Sequence, residues 1–119
     1  MEMMTQRKPT TVGEILTEEF LVPLVMTQSA LARQMGVAPR VINEICNNKR
    51  SLTAETAIML ARVFGNSADF WLNLQQKVQL WMAYHNKRSM ERIEKAISLV
   101  TAVSTDSAGP LPGKKAIYP

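Results

Sequence analysis

Residues 27–47 read TQSALARQMGVAPRVINEICN, a helix, a short turn and a second helix. Leu31, Ala32 and Met35 are spaced by one, three and four, so they share one helical face, and Ile42 and Ile45 mark a face of the second helix. Gly36 stands where the first helix needs a left-handed residue to end on. Pro39 suits the first turn of the second helix, where its missing N–H costs nothing. Ala32 is small enough for the two helices to cross closely. An ordinary helical hairpin would need none of this in this order. The stretch therefore predicts a helix-turn-helix that binds DNA.

The rest of the chain is read as support for that unit. At 119 residues it is long enough for one modest core, and 46% hydrophobic residues put it in the globular range. No run of about eighteen apolar residues is present, so no membrane span is expected. The first ten residues, MEMMTQRKPT, lack the apolar centre of a secretory signal. A single cysteine, Cys46, rules out an internal disulfide and fits a reducing compartment, so a cytoplasmic location is expected.

Net charge is +4, compatible with a polyanionic partner, and its distribution says more. From Thr27 to Arg50 the chain carries Arg33, Arg40, Lys49 and Arg50 against Glu44, a local +3. From Thr11 to Val22 it carries Glu14, Glu18 and Glu19 and no base, a local −3. Positive charge thus gathers on the proposed reading unit.

Residues 1–10 read as a short basic arm, a solvated mobile end with a phosphate contact as its alternative. Thr11 and Glu14 have the spacing of a capping box. Val12, Ile15, Leu16 and Phe20 then share one face, which predicts a helix over 12–22. Pro23 should stop it by pushing Val22 out of the α region. Thr27 should cap a helix over 28–35, and the next should run over 39–47. Thr53 should cap 54–64, with Glu55 favouring its dipole and Ala57, Leu60, Ala61 and Phe64 facing inward. Ser67 should cap a long helix over 68–85, with Phe70, Trp71, Leu74, Val78, Trp81 and Met82 on the core side. Met90, Ile93, Ile97 and Val100 predict a last helix over 90–103, a two-heptad seam that either packs on the domain or meets a second copy. Residues 104–119 read as a flexible tail. The domain plan is a basic arm over 1–10, a DNA-binding domain over 11–85, a C-terminal helix over 86–103 and the tail.

A recognition helix puts its N-terminal turn and outward face into the major groove of double-stranded DNA. With Ile42 and Ile45 facing inward, the outward positions are Ala38, Pro39, Arg40, Asn43, Glu44 and Asn47, and Val41 on the flank can touch a thymine methyl. Arg40 can bind guanine bidentately, with a phosphate contact as its alternative, and Asn43 can read adenine. Glu44 can accept from cytosine or orient Arg40. Thr27 and Gln28 at a helix N-terminus, and Lys49 and Arg50 in the following loop, are the candidate phosphate contacts. One such unit reads few base pairs, so a two-fold dimer is expected. Catalysis is not expected: His85 is the only histidine and Cys46 the only cysteine. The chain shows no metal-ligand spacing, phosphate loop or nucleophile elbow that would imply a metal or cofactor.

These helices resemble the Cro/C1-type (XRE) helix-turn-helix family. Three stretches narrow the resemblance: Gly13-Glu14-Ile15-Leu16, Leu52-Thr53-Ala54-Glu55-Thr56-Ala57 and Phe64 to Gln75. The last, FGNSADFWLNLQ, is similar to the signature of the HigA-type (VapI-like) addiction-module antitoxins. The likeness spans about 7–85, with Val12 where that family often has proline. It implies an all-α, five-helix lambda-repressor-like domain with an extra C-terminal helix. It also implies a homodimeric antitoxin that binds its operator, represses its own operon and neutralises a RelE-like toxin, a ribosome-dependent mRNA interferase. A stand-alone transcriptional regulator and an adaptor that no longer reads DNA are the competing readings.

Overall fold

A computed structural model describes residues 7–99. The described residues are helical and connected by turns, with no strand among them. The chain divides into two compact units after Asn86. The first holds α1 (Val12–Ile15) with its π-helical continuation (Leu16–Leu21), α2 (Gln28–Met35), α3 (Pro39–Cys46), α4 (Ala54–Phe64) and α5 (Ala68–Tyr84). The second holds α6 (Lys87–Glu94).

Local chemistry sets most of the helix ends. The Thr11 hydroxyl accepts from the Glu14 backbone N–H at 3.1 Å, and the Glu14 carboxylate accepts from the Thr11 N–H at 2.9 Å, closing the capping box. Thr27, Thr53 and Ser67 each accept through their hydroxyl from the N–H three residues on. Each such bond satisfies a donor that the helix leaves orphaned. Gly36 and Gly65 end α2 and α4 at φ 73° and 75°, conformations that cost a residue with a Cβ more than they cost glycine.

The first helix departs from the expected plain α-helix. From Leu16 its turns widen into a π-helix, with the Val22 N–H bonded to the Thr17 carbonyl at 2.9 Å. A bond five residues back brings Leu16 and Leu21 to one side, and both are buried. Spacing at 3.6 residues per turn hides Leu21 from a sequence reading. Pro23 does not act through Val22, which stays right-handed at φ −62°, ψ −52°. A proline ring clashes with the carbonyl four residues back in a tight helix, and the wider turn relieves that clash. The reversal comes instead at Val25, at φ 51°.

Leu16, Leu31, Ile42, Ile45, Leu60 and Trp71 are the large side chains fully removed from solvent, each worth about 1.5–3 kcal/mol of burial. They come from all five helices of this unit. Ala32 is 1% exposed at the crossing of α2 and α3. Phe20, Phe64, Phe70 and Trp71 form a ring cluster, with Phe20 to Phe64 centroids 4.7 Å apart. Trp71 also has a polar end, its indole N–H donating to the Asn66 Oδ1 at 2.9 Å.

The expected inner face of α5 holds only for its first half. Trp71 is buried and Leu74 packs on the core, but no hydrophobic residue of α5 beyond Leu74 does, the half-buried Val78 included. Phe70 and Met82 are exposed, and Trp81 is half-buried with its ring stacked on His85, centroids 4.0 Å apart. A helix of 17 residues is about 25 Å long, longer than the core it crosses. In the second unit, α6 starts at Lys87 and ends at Glu94, shorter than the 90–103 expected. None of its residues is buried, and a short helix without a packed face is marginal. Ile97 lies outside it, so Met90, Ile93 and Ile97 do not form a continuous helical seam. Val100, residues 1–6 of the basic arm and the proposed tail lie outside the described residues.

Candidate nucleic-acid interface

α2 and α3 form the helix-turn-helix, and burial sorts α3 as its periodicity predicts. Ile42 and Ile45 are buried, Val41 and Glu44 half-buried, and Ala38, Pro39, Arg40, Asn43 and Asn47 exposed. Ala38 precedes a proline and is extended, at φ −71°, ψ 145°, the conformation that a following proline favours. No side chain caps α3; Pro39 brings no N–H there, and the Val41 N–H bonds to the Ala38 carbonyl at 2.9 Å.

Two side-chain networks organise this face. In one, the Asn43 Nδ2 donates to the Gln28 Oε1 at 3.1 Å, and the Asn47 Nδ2 donates to the Asn43 Oδ1 at 3.3 Å. Gln28 opens α2, so these amides join the two helices of the motif across their outer surface. Each Asn43 atom has spent one of its two bonding capacities. One Nδ2 hydrogen and one Oδ1 lone pair remain, the pair that an adenine edge requires.

In the other network, Glu44 is shared by two arginines. Arg40 reaches it through Nε at 3.3 Å, one turn away on α3. Arg50 returns from the loop to place Nε at 2.8 Å and Nη2 at 2.7 Å from Glu44 Oε1. The Arg50 hydrogen bond, with the charges of Arg50 and Arg40, holds the Glu44 carboxyl below the usual carboxylate range despite some desolvation. Glu44 is thus ionised and engaged at neutral pH, oriented by the very residues it orients. The Arg40 side chain is 75% exposed, and its pairing uses Nε, the atom farthest from the tip of the guanidinium fork.

Lys49 and Arg50 are exposed, Gln28 is half-buried, and Thr27 spends its hydroxyl oxygen on the α2 cap. All the sequence-selected positions therefore lie on α3, at the start of α2 or in the loop after α3.

Two side chains outside that selection, those of Asn48 and Gln75, hold the loop in place. Asn48, at φ 58°, accepts through Oδ1 from the Gly13 N–H at 3.1 Å. Gln75 on α5 grips Leu52 with both ends of its amide, accepting from the Leu52 N–H at 2.6 Å and donating to its carbonyl at 3.1 Å. Lys49 and Arg50 sit between these two anchors. An Asn in a polar loop is a weak hint of the first; nothing local signals the second. Cys46 is half-buried, and burial pushes its thiol above the usual range against a weaker opposing hydrogen bond from Thr17. It is a packing residue.

The helix-turn-helix family model matches residues 19–71. A Haemophilus influenzae protein named as an uncharacterized HTH-type transcriptional regulator is 48% identical over 91 residues, covering 76% of this chain and 84% of that protein. Antitoxin HigA-1 of Vibrio cholerae is 47% identical over 77 residues, 65% of this chain and 72% of that one. Among solved structures, Pseudomonas aeruginosa antitoxin HigA with the higBA promoter superposes with a TM-score of 0.70 at 38% identity. It covers 78% of this chain and 99% of that one.

Proposed function

The chain belongs to the helix-turn-helix family, in its HigA-type (VapI-like) branch, and from that premise we propose that it is an antitoxin that represses its own operon and neutralises a RelE-like mRNA interferase. It is a DNA-binding regulator. The observation that carries the operator reading is the exposed face of α3, where Arg40 and Asn43 stand together, each held by a side-chain partner.

In this reading Arg40 takes the O6 and N7 of a guanine and Asn43 the N6 and N7 of an adenine. Ala38, Pro39, Val41 and Asn47 make close contact around them. Glu44 holds the two arginines rather than reading a base. Thr27, Gln28, Lys49 and Arg50 fix the register on the phosphates. Two copies on half-sites about one helical turn apart supply the affinity that one unit lacks.

A footprint on the protein's own promoter at several salt concentrations tests the operator reading; protection that weakens with salt supports it, and no protection eliminates it. The antitoxin half is tested by co-expression with the product of the neighbouring gene. Rescue of growth from that product supports the proposal, and an adjacent gene without a toxin overturns it. The relative named as a transcriptional regulator favours the second reading, a stand-alone regulator, which predicts protection of the promoter without any rescue.

A further inference from the structure

Beside the recognition helix lies a cleft of about 350 Å³ built from three distant parts of the first unit. Lys8, Thr11 and Val12 come from the start of α1, Asn48, Lys49 and Arg50 from the loop after α3, and Gln75 and Gln79 from α5. Among the described residues, three that line it are cationic and none is acidic, while Val12, Ile45, Val78 and Met82 make much of its wall apolar, with the cations at its edge. Arg50 already answers Glu44, whereas neither Lys8 nor Lys49 makes an ion pair among the described residues.

The walls are fixed. The capping box at Thr11 sets where the chain enters α1, three residues after Lys8. The Asn48 to Gly13 bond and the Gln75 grip on Leu52 hold the loop against α1 and α5. A Cβ at Gly13 would run into the Cys46 carbonyl oxygen, so α1 approaches the end of α3 as closely as backbone allows. That approach carries Lys8 to the same rim as Lys49.

We propose that this cleft is a backbone-phosphate site of the DNA interface, in which Lys8 and Lys49 take one phosphate group from two sides. The proposal rests on the DNA-binding reading and deepens it. It gives Lys8 in the basic segment before α1 a fixed place on the duplex, where the sequence leaves a mobile end and a phosphate contact as alternatives. The ligand chemistry is a phosphate oxygen, which the DNA backbone or a free phosphate can supply. The position of the cleft beside α3 favours the backbone.

The test compares the full chain with Lys8→Ala, Lys8→Arg and Lys77→Ala, a control on α5 outside the cleft. Affinity is measured over a range of salt on a duplex from the protein's own promoter and on a random duplex of equal length. Lys8→Ala should make the salt dependence shallower by about 0.9 in the log–log slope and weaken both duplexes by the same factor. Lys8→Arg should keep the slope, and so should Lys77→Ala. An unchanged slope in Lys8→Ala, or an equal change in Lys77→Ala, overturns the proposal. Inorganic phosphate, titrated without DNA and followed by the backbone amide signals of Lys8 and Lys49, separates the two sources. Saturable shifts together with an unchanged DNA slope would assign the cleft to a free phosphate instead. If the unmodified chain binds neither duplex, the regulator reading itself fails and the phosphate site fails with it.

Discussion

Asn48 and Gly13, 35 positions apart in sequence, are joined by a hydrogen bond of 3.1 Å from the Gly13 N–H to the Asn48 side chain. The bond fastens the residue that leaves the recognition helix to the first turn of α1. It makes the geometry of the loop after α3 depend on the first turn of α1. Gly13→Ala would drive a Cβ into the Cys46 carbonyl, backbone against backbone, and should cost about 3 kcal/mol, the upper end for overpacking. Asn48→Ala should cost about 2 kcal/mol, from a lost hydrogen bond and a left-handed φ that alanine resists. Urea unfolding midpoints measure both; values equal to the unmodified protein's would show that the two backbones can part freely.

Glu44 restrains the two arginines beside it. Glu44→Gln removes a negative charge from the DNA face and frees Arg40 and Arg50. Affinity for random DNA should rise, and the ratio of promoter to random binding should fall. Fluorescence anisotropy on both duplexes measures this, and an unchanged ratio would mean that Glu44 orients nothing that reads sequence.

The same carboxylate fixes a pH dependence. Its folded pKa is depressed, chiefly by Arg50, so its stabilising contribution is present above the ordinary glutamate range. That contribution is lost only as pH falls through the depressed value. Between about pH 6 and pH 8, Glu44 should stay ionised and promoter discrimination should not drift on its account. Acid titration should weaken the network only below the range of an exposed glutamate. A carboxyl NMR signal for Glu44 titrating at or above that range would contradict the arrangement.

Arg40→Ala should cost about 1–3 kcal/mol on the promoter and relax preference at one base position. Equal losses on promoter and random DNA would reduce Arg40 to a phosphate contact. A selection of binding sites from randomised duplexes identifies the base position directly.

Val25 stands at φ 51° and is 90% exposed, a conformation that a β-branched residue adopts only under strain. Val25→Gly should stabilise the domain by about 1 kcal/mol, the steric relief exceeding the entropy that glycine loses. A drop in the unfolding midpoint would show that the Val25 side chain makes a contact worth more than the strain.

What the sequence shows plainly is what acts over three or four residues. Thr11, Thr27, Thr53 and Ser67 each lie three positions before the N–H they accept, so the helix starts could be read directly. The outward face of α3 was legible for the same reason, because Ile42 and Ile45 define its opposite side. The Arg50 to Glu44 bond was not, since it depends on how the loop folds back through the left-handed Asn48. Gln75 and Leu52 are 23 positions apart, and no local pattern announces an amide that binds a distant backbone. Trp81 fits the apolar spacing of α5 as well as Trp71 does. Only the extent of the core, which ends near Leu74, separates the buried ring from the stacked one.

The wide turn in the first helix has a consequence for chain length. Leu16 and Leu21 are five apart, and the π-helix brings both to the core. With either Glu18 or Glu19 deleted they would be four apart, the spacing that a plain α-helix aligns. The segment therefore carries one residue of slack between two fixed anchors. A homologue one residue shorter here can bury the same two leucines, and an alignment gap at this point falls inside a helix without disturbing the motif that follows.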